Sequence, residues 1–449
     1  MKRLFTILTA LFFSVGISSQ DFISHSLNSD YFIGDQIAAD FDNDGDLDLY
    51  GIEFFYAQPN ALVKMTNHCD EEPLKFTYNL KTGIEANRMM SSGDYNGDGY
   101  IDVMISIGFT ESSIWYYKND GTGSFEAIDL GIKGVQYAEN FDYDADGDID
   151  LIVKDKGANF NILVNDGNGN FTNSKSFSLS GVESEFKIAD FDDDGLLDIV
   201  LGEDKFIDSE IFLYHNKGNF QFEEILLDIG VDYDMNQLQI CDINKDGKMD
   251  IMYVENKYFN LLINKGNNEF AKNQLYERSS SFGYYSAFAL SDIDYDGDID
   301  IFLCDYEKDG LIFYKNSGDS NYQGFERTKI SIASSENITI GDFTCDGKND
   351  IFIKWESNRI LENNFPVSSY VDLSTRIECY PNPVNEMLYF DLDETIINKI
   401  EVTDMNGKSI LKYKDLKGNT IDVSNLKSGF YVVKMISGDK IYNSKFIKN

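Results

Sequence analysis

Seven stretches of nine residues repeat one arrangement of carboxylates. The first, DFDNDGDLD, runs from Asp40 to Asp48 and packs five carboxylates around one glycine. At ~5 Å separation and an effective dielectric near 20, each like-charge pair costs on the order of 3 kcal/mol. The other copies are DYNGDGYID, DYDADGDID, DFDDDGLLD, DINKDGKMD, DIDYDGDID and DFTCDGKND. Position 1 is always Asp (Asp40, Asp94, Asp142, Asp190, Asp242, Asp292, Asp342). Position 3 is Asp or Asn (Asp42, Asn96, Asp144, Asp192, Asn244, Asp294), with Thr344 in the last copy. Position 5 is always Asp (Asp44, Asp98, Asp146, Asp194, Asp246, Asp296, Asp346). Position 6 is always Gly, and position 9 is always Asp (Asp48, Asp102, Asp150, Asp198, Asp250, Asp300, Asp350). Position 7 is free in type (Asp46, Tyr100, Asp148, Leu196, Lys248, Asp298, Lys348), as expected of a residue that contributes only its backbone carbonyl.

Oxygens at 1, 3, 5, 7 and 9, with a glycine at the sharp turn, describe a loop for a hard cation. Calcium fits best, because it accepts six to eight oxygens in flexible geometry. Magnesium would keep more water, and zinc would want His or Cys, which these columns lack. The loop is not an EF-hand. That motif closes on Glu at position 12, where this chain has Gly51, Ile105, Val153, Leu201, Tyr253, Leu303 and Ile353. Solvated Asp-Gly hairpin turns are the plain alternative, but seven copies with at least three carboxylates each at positions 1, 3, 5 and 9 argue for up to seven structural Ca²⁺ ions. The copy headed by Asp342, with Thr344 and Cys345 inside it, is expected to be the weakest.

The elements that hold these loops are strands. Apolar residues stand at positions 2 and 10 of every copy, and segments such as KIADF and LDIVLG flank the loop. Each copy then continues to a strand ending at Asn, a turn, and a Phe, as in WYYKNDGTGSF to Phe125, ILVNDGNGNF to Phe171, FLYHNKGNF to Phe220 and LLINKGNNEF to Phe270. Start-to-start spacings of 54, 48, 48, 52, 50 and 50 residues demand a repeat architecture. Four antiparallel strands per ~50 residues make one propeller blade. The expectation is an all-β chain: a signal peptide over 1–19, a seven-bladed β-propeller over 20–366, a linker over 367–375 and a small β-sandwich over 376–449. Residues 21–28 are expected to complete the last blade, with FPVSSYVDL from Phe365 as the alternative. The repeats resemble FG-GAP/VCBS repeats, the blades of integrin-α-type propellers. That resemblance implies Ca²⁺ held between the first two strands of a blade.

The start, MKRLFTILTALFFSVGISSQ, has a basic n-region, an apolar h-region and small residues before Gln20, the pattern of a secretory signal peptide. No other stretch has the pattern of a membrane-spanning segment. The formal net charge is −39 with a pI near 4.2, which repels nucleic acid and anionic lipid. Residues 376–449 are close to neutral, with 11 Lys+Arg against 10 Asp+Glu, so the acidity belongs to the repeats. The five cysteines have no CxxC spacing, and an odd count leaves at least one unpaired. They are expected to be buried or half-buried thiols, with the pairing left open.

The composition shifts at residue 376. YPNP at Tyr380–Pro383, DMNGK at Asp404–Lys408, the LKSGFYVVK run from Leu426 and the terminal KFIK resemble the sorting domain of type IX secretion cargo, a system of Bacteroidota. That resemblance implies the type IX machinery as partner, export across the outer membrane, and a place on the cell surface or outside it. Alternating apolar residues suggest six or seven short strands there.

Two functions fit the sequence. One is a calcium-stabilised binding or adhesion module for an extracellular glycan or protein. Its aromatic-bearing loops, on the face away from the metal, would be FFYAQPN, GFTESS, EDKFIDS, NKYFN and SSSFGYYS. The other is a propeller-based polysaccharide lyase or hydrolase. The three histidines (His25, His68, His215) fall at unrelated positions in different repeats, and no GxSxG or HExxH motif occurs. The sequence therefore favours the binding module and assigns no catalytic residue.

Overall fold

The computed structural model describes residues 22–27, 33–53, 60–69, 74–81, 85–108, 112–155, 157, 159–179, 185–203, 210–229, 237–255, 258–277, 287–305, 310–318, 325–330, 337–354, 358–365, 375–376, 379–380, 384, 387–390, 396–404, 409–427, 429–437 and 440–448. The expected signal peptide, most of the aromatic-bearing loops (54–59, 109–111, 204–209, 256–257 and 279–286) and the turn at 405–408 lie outside the described residues.

Each repeat folds as one antiparallel four-stranded sheet. In the first, Ile33–Ala39, Asp48–Glu53, Ala61–His68 and Lys75–Lys81 lie in that order. Five more sheets follow the same plan, ending with Phe325–Ile330. Second strands such as Asp102–Ile107 (DVMISI) are buried almost throughout, because sheets stacked face to face cover both of their sides. Such strands read as continuous apolar runs. Fourth strands such as Phe171–Ser178 alternate between half-buried and exposed, because they form the outer rim.

The seventh sheet takes its fourth strand from the other end of the chain. Asn337–Gly341, Asp350–Lys354 and Arg359–Asn363 are joined by Phe22–Ser26, in register from Phe22↔Asn363 to Ser26↔Arg359. Phe365 packs edge-on to Phe22 at 5.3 Å between ring centroids. The core confirms a closed ring of seven blades. Every neighbouring pair shares one apolar cluster, and one of these joins Phe343, Phe352 and Ile360 of the last blade to Leu49, Val63 and Met65 of the first.

A ladder of asparagines stitches the blades together. The third strand of each blade carries a buried Asn near its end: Asn67, Asn119, Asn165, Asn216, Asn264, Asn316 and Asn363. The side-chain amide donates to the carbonyl of loop position 2 in the preceding blade: Asn119 to Phe41, Asn165 to Tyr95, Asn264 to Phe191, Asn316 to Ile243 and Asn363 to Ile293, at 2.7–3.2 Å. Asn67 closes the circle onto Phe343 of the seventh blade at 2.9 Å. Asn119, Asn165, Asn264 and Asn316 also donate to the position 8 carbonyl of their own loop, and Asn216 makes that bond, to Leu197, in place of the cross-blade one.

Two sequence expectations change here. In the fourth blade Phe222, not Phe220, takes the register position opposite the Asn. Asn219 and Phe220 adopt φ of 53° and 57°, so the turn is two residues longer than the Asn-x-Gly pattern suggests. Two of the five cysteines also pair: Cys69 and Cys345 form a disulfide across the seam, while Cys241, Cys304 and Cys379 remain thiols.

The tail is a two-sheet sandwich. One sheet orders Thr375–Arg376, Lys440–Lys448, Gly429–Ser437, Ile396–Asp404 and Ser409–Lys417, and the other orders Cys379–Tyr380, Met387–Phe390 and Thr420–Asp422. That makes eight described strands, more than the six or seven expected. The first of them straddles the expected boundary at 376. Val384, Leu388, Ile400, Val402 and Val433 lie at its fully buried centre.

Removing one rung tests the ladder. Asn264→Ala leaves the Phe191 carbonyl without its donor, and an unsatisfied buried group costs about 1–3 kcal/mol. The urea midpoint should fall, and an unchanged midpoint would show that this rung carries no stability.

Candidate metal centres

Each acidic loop joins the first and second strands of its blade. Its shape comes from two left-handed residues. Position 4 has φ between 57° and 70° in all seven copies, and the glycine at position 6 has φ between 84° and 101°. A β-carbon added at Gly45 or Gly99 would meet nothing within 4 Å, so conformation and not space requires the glycine. The chain curls around position 5, and its own amides fix the acids. The position 1 carboxylate accepts the N–H of position 6 in all seven loops, as Gly99 donates to Asp94 at 2.8 Å. The position 5 carboxylate accepts the N–H of position 7, at 2.8–3.3 Å, also in all seven.

The carboxylates converge as a cation site requires. Positions 1, 3 and 5 bring oxygens within 4.8 Å of one another in the loops of Asp40, Asp142 and Asp190. Among the described residues, five buried carboxylate oxygens of the acidic loops have no hydrogen-bond donor: Asp42 Oδ1, Asp46 Oδ1, Asp48 Oδ2, Asp192 Oδ1 and Asp292 Oδ1. Each lies at loop position 1, 3, 7 or 9. Buried acceptors are nearly always satisfied in folded proteins, so these oxygens fit a cation that completes them.

Position 9 has a second role that sequence reasoning missed. All seven of these aspartates are fully buried. Oδ1 accepts the backbone N–H of the ladder asparagine at 2.7–2.8 Å in every blade. In six blades Oδ2 accepts the N–H of position 2, as in Tyr143 to Asp150 at 2.7 Å. The aspartate thus ties the loop to the blade's third strand while its remaining lone pairs can face a cation. The available signal was an Asn recurring 13–19 residues after every position 9.

Some loops carry built-in partners for their acids. Lys64 Nζ stands 3.0 Å from Asp42 and 3.6 Å from Asp48. His215 Nδ1 lies 3.1 Å from Asp198 and 3.4 Å from Asp192. Lys315 contacts Asp294 and lies 3.0 Å from Asp296. In the second blade the Tyr116 hydroxyl donates to Asp102. In the seventh, the Thr344 hydroxyl donates to Asp350, which leaves its oxygen lone pairs to face a cation.

Burial pushes the position 9 carboxyls up, to about 6 at Asp102 and Asp350, about 7 at Asp48 and Asp250, and about 8 at Asp300. Asp150 and Asp198 move the same way for the same reason. Neighbouring carboxylates in the loop add to the rise at Asp48, Asp102, Asp250 and Asp300. In the metal-stripped protein the folded state therefore holds protons that an unfolded carboxyl, with a value of about 4, has already lost. Stability should rise as pH falls from about 8 towards about 4 and be lost as pH climbs back through the folded values. Melting of desalted, chelator-treated protein should occur at a higher temperature at pH 5.5 than at pH 8. The reverse order would contradict the burial of these acids.

Two family models match the chain. An FG-GAP-like repeat matches residues 142–201, 190–253, 242–303 and 292–353, each match running from one acidic loop into the blade that carries the next. A secretion system C-terminal sorting domain matches residues 378–449. No curated protein matches the chain. Among solved structures it is similar to an Agrocybe aegerita lectin that recognises non-reducing terminal N-acetylglucosamine, at 16% identity and a TM-score of 0.45, over 72% of this chain and 86% of that one. It is similar also to the extracellular domain of a protein assigned as a one-component system in B. thetaiotaomicron, at 13% identity and a TM-score of 0.46, over 93% of this chain and 56% of that one. The loops of Asp40 and Asp94 lie outside the repeat matches but share the same geometry. The repeats, the seven closed blades and the tail make this chain an FG-GAP-repeat β-propeller with a type IX sorting domain, exported to the cell surface or the extracellular space.

Proposed function

We propose that the protein is a calcium-stiffened extracellular binding module for a glycan or a protein. The observation that carries the calcium half is the set of buried, donorless carboxylate oxygens in loops whose own amides already aim the acids inward. The donors are all hard oxygens, which favours calcium over zinc. Positions 1, 3, 5 and 9 and the carbonyl of position 7 would hold the ion, which would supply positive charge where the chain has concentrated negative charge. The binding half rests on the scaffold. Rigid discs present loops at two ends, and recognition favours loops on rigid scaffolds.

Several titratable groups outside the loops are engaged in structural contacts within or between blades, which favours binding over catalysis. Asp35 accepts the Met89 N–H of the second blade, and Glu185 accepts the Leu238 N–H of the fifth. Lys187 joins Glu139 of the third blade to Glu185 at 2.7 and 3.1 Å. His25 pairs with Glu362 at the seam, and His68 approaches Thr77.

Metal that binds only the folded state adds RT ln(1 + [L]/Kd), about 2.7 kcal/mol per site at a hundredfold excess over Kd. Melting in millimolar calcium should exceed melting in chelator by many degrees, and Asp142→Ala should remove part of that gain. Equal melting in both conditions would reject structural calcium. A panel of polysaccharides and matrix proteins, read for retention and for product release, checks the binding half. Retention without turnover is expected, and turnover would establish the enzyme reading instead.

A further inference from the structure

The seam between the first and seventh blades carries a covalent tie. Cys69 follows the ladder residue Asn67 by two positions, and Cys345 is the fourth residue of the seventh acidic loop. The disulfide holds their α-carbons 6.0 Å apart across 276 residues of sequence. Both ends touch metal-loop residues. The Cys69 N–H donates to Asp46 Oδ2 in the first loop at 3.3 Å, and Cys345 stands between Thr344 and Asp346 with φ of 57°. One bond therefore joins two neighbouring acidic loops, at the boundary where the ends of the propeller sequence meet.

We propose that the Cys69–Cys345 disulfide is a positioning element for cation binding at the first and seventh loops, coupling the oxidation of the seam to their occupancy. The proposal rests on the calcium reading above. Bare carboxylates on the two loops repel one another and favour an open seam. The disulfide and bound cations both favour the closed one. Two events that stabilise the same state help each other, and by equal factors. The bond fixes position 4 of the seventh loop in its left-handed shape before the ion arrives, so less ordering remains to oppose binding. Position 4 of the other loops is Asn43, Gly97, Ala145, Asp193, Lys245 or Tyr295, and none of these can be held covalently in this way. Of the two loops the bond joins, the seventh has more to gain, with three ligand carboxylates against four in the first. An extracellular destination keeps such a bond oxidised.

Calcium titration of the full chain, by calorimetry and native mass spectrometry, tests the coupling. It would be run on the oxidised protein, on protein treated with dithiothreitol, and on Cys69→Ser/Cys345→Ser. Dithiothreitol breaks this S–S bond, leaves a protonated thiol on each cysteine, and closes into its own cyclic disulfide. The other three cysteines are already thiols. Reduction should weaken two sites about tenfold, the size of an ordinary coupling, and leave the remaining sites unchanged. Calcium should in turn slow reduction of the bond. Identical isotherms before and after reduction, or uniform weakening of all sites, would overturn the proposal. If the oxidised protein takes up no calcium, the calcium reading fails and the coupling falls with it. Hydrogen exchange then separates that outcome from a failure of the seam itself: faster exchange on reduction, confined to Phe22–Ser26, Asn337–Gly341 and the first blade, keeps the disulfide as the seam's clasp, and an unchanged pattern removes that role as well.

Discussion

Like-charge crowding on one face of the disc is the constraint on which the rest depends. In the loops of Asp40, Asp142 and Asp190 the carboxylate oxygens lie within 4.8 Å of one another, at a cost of order kcal/mol per pair. Lys64 and Lys315 meet part of it. Some acids avoid charge by burial, which raises Asp48, Asp250 and Asp300 to about 7–8. Even so, one buried oxygen on each of Asp42, Asp192 and Asp292 has no hydrogen-bond donor. Under the proposed calcium reading, a divalent cation in the loop would answer these observations together.

The buried aspartate at position 9 carries the loop's shape into the ring. It holds the N–H of position 2 on one side and the N–H of the ladder asparagine on the other, and that asparagine reaches the preceding blade. A change in one loop is thus three hydrogen bonds from the neighbouring blade. Such polar relays in a low-dielectric setting strengthen when complete and are costly when broken. This explains why Asp is invariant at a position with no water to solvate it.

The fold was legible because its signals are local and repeated. The loop recurs seven times with flanking apolar positions, and the fully buried second strands read as continuous apolar runs. The tail was legible as a module from its alternation and its charge. What stayed hidden depends on distance in space. The turn motif marked the ladder asparagines as hairpin residues, but their amides act across blades, which no single repeat reveals. Phe222 displaced Phe220 because a longer turn shifts the register. The Cys69–Cys345 pairing needs the ring to be closed before the two residues meet. Thr344 was read as a ligand from its column, and only the structure shows its hydroxyl donating to Asp350 as well.

The central claim is that divalent cations neutralise these loops in the native protein. Elemental analysis of purified, buffer-exchanged protein tests it most directly. The account predicts several calcium atoms retained per chain, approaching one for each loop. Essentially no retained alkaline-earth metal, in protein that is folded and cooperative, would contradict it.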